Sequence, residues 1–112
     1  MPPNVKSPLF DMLHAALGIV QFVDGKSFED YKTDDMMRLA VERQFAIIEE
    51  AGSRLKKNAP SVFGRISESE QIVGFRHVLV HAYDTLKDET IWRIIQEKIP
   101  ILIREVEEIL KS

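Results

Sequence analysis

Arg76, His77, His81 and Tyr83 fall within one run of eight residues, Arg76-His77-Val78-Leu79-Val80-His81-Ala82-Tyr83. On a helix at about 100° per residue, with Arg76 at zero, Tyr83 falls near −20°, His77 near 100° and His81 near 140°. Ile72, Phe75, Val78, Leu79 and Ala82 fill the opposite side. One face therefore reads as core, and the ionisable groups share the other. Val73 and Val80 lie between Arg76 and His77 on that second face. A helix face turned to open solvent is usually richer in Lys and Glu, so this one reads as a cleft or a polar interface.

These groups supply a definite chemistry. Histidine exchanges protons near neutral pH. Arginine keeps its charge and forks onto phosphate. Tyrosine donates a hydrogen bond, stacks on a base, or accepts a transferred group. Together they suit metal-free phosphodiester cleavage. His81 would take the proton of a ribose 2′-hydroxyl, and Arg76 would stabilise the charged phosphorane. Such a reaction needs RNA, because DNA lacks that hydroxyl. Two readings compete with it. Histidines in helices commonly serve packing alone. His77 and His81, at i and i+4, also have zinc-ligand spacing. The zinc-protease pattern needs Glu after the first His, however, and Val78 stands there.

The elements that must hold this run read as helices almost throughout. Ser7 and Pro8 look like the N-cap and first residue of a helix from about Leu9 to Val23. Its apolar stripe is Leu9, Met12, Leu13, Ala16, Leu17, Val20 and Val23, and Gly25 stops it. Ser27-Phe28-Glu29-Asp30 forms a short capped turn. A long helix starts near Thr33 or Asp34 and stops at about Asn58, before Pro60. Its stripe is Met36, Leu39, Ala40, Phe45, Ile47, Ile48, Ala51 and Leu55. Ser67-x-x-Glu70 reads as a capping box that opens a helix running to about Tyr83. A further helix begins after Asp88 with Ile91, Trp92, Ile94 and Ile95, and Pro100 kinks or splits it. The last stretch places Ile99, Leu102, Ile103, Val106, Ile109 and Leu110 on one face. No segment alternates as a strand does. The expected fold is all-α: an up-down bundle of four or five helices in a single domain over residues 1–112.

Composition narrows the function classes. The chain has 112 residues, is 45% hydrophobic, carries a formal net charge of −3 and has no cysteine. That excludes thiolate metal sites, a cysteine nucleophile and a disulfide scaffold. No apolar run approaches the ~18–20 residues that span a bilayer. The start, MPPNVKSPLF, does not read as a secretory signal, so a cytoplasmic protein is expected. The acidic balance argues against non-specific DNA coating. Arg54, Lys56, Lys57, Arg65 and Arg76 could still form a local basic rim.

Arg76-x4-His81-x-Tyr83 resembles the motif of the HepT-like proteins, a branch of the HEPN superfamily of small helical ribonucleases. The likeness extends on both sides. Gly74 to Tyr83 resembles the family's Gly-Met-Arg-Asn-x-Leu-x-His-x-Tyr run. Ile91-Trp92, then Ile99-Pro100-Ile101-Leu102, is similar to its Val-Trp…Leu-Pro-x-Leu ending. Upstream, Phe22 to Phe28, Ala40-Val41-Glu42-Arg43 and Ile47-Ile48-Glu49-Glu50-Ala51 also fit. Two departures stand out. Glu49 replaces the family's usual Gly, and Gly64-Arg65-Ile66-Ser67-Glu68 stands where Pro-Trp is usual.

The resemblance implies a homodimeric, metal-independent endoribonuclease that needs no cofactor. Two copies of the motif would form one RNA cleft. It implies the toxin of a type VII toxin–antitoxin pair, with a nucleotidyltransferase antitoxin of the MntA type as partner. Arg76 and His81 would be catalytic, Arg76 and His77 would bind RNA phosphate, and Tyr83 would be the site of nucleotidylation. The alternative is an inactive binding module that docks the nucleotidyltransferase or a nucleotide.

Overall fold

The structure is a computed structural model. It describes the backbone of residues 1–74 and 84–112, and the side chains of 1–74 and 87–112. Among the described residues every regular element is a helix. Helix α1 spans Pro3–Val23, α2 Phe28–Thr33, α3 Asp35–Asn58 and α4 Pro60–Phe63. Helix α5 spans Ser69–Val73, α6 Asp84–Glu97 and α7 Ile99–Lys111.

The first helix starts earlier than its sequence signals imply. Pro3 occupies the first turn, and Pro8 lies inside the helix, fully buried. Proline has no N–H, so the carbonyl of Asn4 loses its usual helical donor. The Asn58 side chain donates to that carbonyl instead, at 3.1 Å. The last turn of α3 thereby repairs the first turns of α1. Replacing Asn58 with Ala should cost about 1 kcal/mol in chemical denaturation, the usual worth of one such bond. A loss below the error of the measurement would contradict this role.

Asn4 against Asn58, Asp11 against Arg54 and Gly18 against Gln44 fix α1 and α3 as an antiparallel pair. Helix α7 packs on the same α1. Leu9, Met12, Ala16 and Ile19 from α1 enter the core with Val41, Phe45, Ile48 and Leu55 from α3. Ile91 and Ile95 of α6 and Ile99, Leu102 and Val106 of α7 complete it.

Most of the two expected apolar stripes is buried, and a few positions of each are not. On α1, Leu17 and Val20 are about two-fifths exposed, while Ala15 and Ile19 are buried. On α3, Met36 is 83% exposed and Leu39 66%, and Met37 and Val41 are buried instead. Asp34 caps α3 by accepting the Met37 N–H at 3.0 Å. With the helix started there, Met37, Val41, Phe45 and Ile48 recur at steps of four, four and three on the inner face. Met36 and Leu39 lie outside that face and are exposed.

Local signals hold at the start of α2 and at Pro100. Ser27 and Asp30 form a reciprocal capping box, at 2.9 and 3.1 Å. The Asp30 carboxyl is held below the usual carboxylate range, first by the Ser27 backbone N–H and then by its hydroxyl. A lowered folded value means that the cap's contribution is present above the ordinary carboxylate range. It is lost as pH falls through Asp30's own value. Wild type and Asp30→Asn should therefore converge in stability as unfolding is followed down in pH. A gap that persists at acid pH would refute the coupling. Pro100 sits in the first turn of α7, and the chain turns at Lys98 between α6 and α7, so proline splits the C-terminal stretch as expected. Helix α6 includes Asp84, ahead of the expected start after Asp88.

Candidate functional site

Arg76, His77, His81 and Tyr83 lie outside the described residues, as does the stretch from Phe75 to Tyr83 in the helix expected to follow Ser67. What the structure describes is the frame around them: α5 on one side and α6 on the other.

Helix α5 and the two residues before it are anchored at four points. The expected capping box at Ser67 is not formed. Ser67 instead donates its backbone N–H and its hydroxyl to the two carboxylate oxygens of Glu105 on α7, at 2.9 and 2.6 Å. A carboxylate offering two acceptors satisfies both donors of Ser67 at once, which a capping box cannot do. Next to it, Glu68 precedes α5 in the left-handed region, with φ of 55°. Its carboxylate pairs with Lys98 at 2.9 Å. Glu70, the other half of the expected box, pairs with Lys56 of α3 at 2.9 Å. Finally, Ile72 and Val73 pack on α3 at Gly52.

The frame on the α6 side is aromatic and charged. Trp92 lies 5.5 Å from the Tyr31 ring and 6.3 Å from that of Phe28, joining α6 to α2. Trp92 is half-buried against the core rather than sealed inside it. Lys87 pairs with Glu42 of α3 at 3.5 Å, with each side chain about one-fifth exposed. Asp88 is buried one residue further on. The Tyr31 hydroxyl is buried, and burial together with the negative charges of Glu42 and Asp88 pushes its pKa well above the usual tyrosine value. Tyr31 therefore stays a neutral phenol at any physiological pH.

Between these sides lies a cavity of about 220 Å³. Phe45, Ile48, Ile72, Ile94, Ile99 and Leu102 form its apolar lining, and Ser67, Glu68, Lys98 and Glu105 add polar groups. Sequence patterning marked most of the apolar residues as core. It carried no signal for a cavity among them, because that depends on how four separate segments meet.

The expected basic rim is partly neutralised. Arg54 pairs with Asp11 and Lys56 with Glu70. Lys57 and Arg65 are exposed, without a carboxylate partner among the described residues. Among the described residues, no three His, Asp or Glu side chains converge as a metal site. No described helix is long and apolar enough to cross a membrane.

Comparison with known proteins decides the family. The family of HepT-like ribonucleases matches residues 12–109, which include both sides of this frame and the whole Arg76–Tyr83 run. The chain belongs to the HepT-like ribonuclease family. A candidate RNase of Methanocaldococcus jannaschii is 30% identical to this HepT-like chain over 104 residues, covering 93% of the chain and 94% of the relative. A candidate RNase of Caldanaerobacter subterraneus subsp. tengcongensis is 34% identical over 94 residues, 84% of the chain and 83% of the relative. A ribonuclease HepT candidate of Thermococcus cleftensis is 31% identical over 114 residues, 99% of the chain and all of the relative. No solved structure matches the chain. Family membership and an all-helical frame agree with the resemblance carried by the motif.

Proposed function

We propose that the protein is a metal-independent endoribonuclease. The observation that carries this is the family match over residues 12–109, which contain Arg76-x4-His81-x-Tyr83 with its spacing intact. In this reading the His81 imidazole takes the proton from a ribose 2′-hydroxyl. The 2′-oxygen attacks the adjacent phosphorus, and the 5′-oxygen of the next nucleotide leaves and is protonated. Arg76 stabilises the charge that builds on the phosphorane oxygens, and His77 donates to phosphate. Tyr83 is the acceptor when a nucleotidyltransferase of the MntA type neutralises the enzyme, as the toxin of a type VII toxin–antitoxin pair. The working unit is a homodimer with one RNA cleft. Leu17, Val20, Met36 and Leu39 are exposed apolar surface of the sort a second copy covers, which supports that part of the reading.

The mechanism fixes the products. Purified protein incubated with RNA in excess chelator should yield fragments ending in a 2′,3′-cyclic phosphate. The same oligonucleotide with a deoxyribose at the cleaved position should stay intact. Cleavage of the deoxy substrate, or loss of cleavage on chelation, would overturn the reading. Absence of cleavage by protein shown by mass to carry no nucleotide on Tyr83 would favour the inactive binding module.

A further inference from the structure

Gly52 lies inside α3, six residues before its end, and is buried. Glycine is the least helix-favouring residue short of proline, so its presence there calls for a packing reason. The reason is on the opposing helix. A Cβ at position 52 would stand 3.2 Å from Ile72 Cγ2 and 3.6 Å from Val73 Cγ1, with Met12 Cε of α1 at 4.0 Å. The bare backbone of α3 is thus the surface on which α5 is seated. Val73 is three residues from Arg76 in the chain. Ile72 also lines the cavity. A side chain at 52 would press on Ile72, so α5 must give way by a few tenths of an ångström.

We infer that Gly52 is a positioning residue for the Arg76–Tyr83 motif: the missing Cβ sets how closely α5 lies on α3, and so where the chain entering the motif begins. This rests on the ribonuclease reading above. Displacing α5 by a fraction of an ångström would leave the core intact but misplace the reacting groups. Such small errors weigh heavily on a chemical step and lightly on binding.

The test is Gly52→Val, alone and with Ile72→Ala, and the milder Gly52→Ala. Thermal unfolding, RNA cleavage and the NMR resonances of the His77 and His81 imidazoles are followed in each. Gly52→Val should unfold cooperatively, lose about ten- to a hundredfold in kcat and keep KM within about twofold. Ile72→Ala removes the Cγ2 that the valine meets and should return kcat to within about threefold of wild type. Should Gly52→Val not fold, Gly52→Ala and the double variant carry the test, with shifted imidazole resonances as the expected result. Folded variants with wild-type kcat and unmoved imidazole resonances would overturn the inference. So would a loss that Ile72→Ala leaves unrestored. Should wild type itself not cut RNA, the ribonuclease reading fails, and the imidazole resonances alone decide: moved resonances sustain the positioning role and unmoved ones end it.

Discussion

His81→Ala is expected to lower RNA cleavage by about a thousandfold, with the protein still folded. The size follows from the proposed role. A positioned general base contributes about 10²–10⁴ in rate, and alanine leaves no group at that position to take the proton. Arg76→Ala should fall by about 10²–10³, since it removes charge stabilisation from the phosphorane. The two losses should not add, because the residues serve one transition state. Wild type should still cleave the RNA in chelator. Cleavage by His81→Ala at the wild-type rate would remove His81 from the mechanism. A matching collapse of cooperative unfolding would instead assign His81 to packing, the reading that competes with catalysis.

The second large effect concerns stability and separates two leucines of one helix. Leu55 of α3 is fully buried, and Leu39 of the same helix is 66% exposed. Leu55→Ala removes buried methyl groups and leaves a cavity, so it should cost about 3 kcal/mol, or roughly 10–15 °C in Tm. Leu39→Ala should change stability by less than about 0.5 kcal/mol under dilute conditions. Chemical denaturation of both variants checks this directly. Equal costs would mean that the inner face of α3 is not the one the structure shows. A cost at Leu39 that grows with protein concentration would place it in a contact between copies, which bears on the proposed dimer.

Much of the helical plan was legible in the sequence because its signals are local. The Ser27–Asp30 box, the Asp34 cap, the stop at Asn58 and the split at Pro100 each depend on groups within about four residues of one another, the reach of helical hydrogen bonds. The motif was legible for the same reason. Arg76, His81 and Tyr83 are recognised by spacing, and spacing is a property of the chain. The all-α class follows from periodicity summed over the whole length.

What the chain alone left open was decided by partners far away in sequence. Pro8 looked like a helix start, yet Asn58 satisfies the carbonyl that Pro8 leaves open, and α1 runs on from Pro3. Ser67 looked like a cap, yet Glu105, 38 residues on, takes both of its donors. Met36 and Leu39 matched a helical stripe as well as Met37 and Val41 did. Only the packing of α1 against α3 chose between the faces, because an amphipathic pattern with apolar residues on both flanks has no inside until a neighbour supplies one. The seat of α5 on Gly52 belongs with these. Spacing singled out the residues proposed to cut RNA, while the close approach of α5 to α3 exists only once the helices have met.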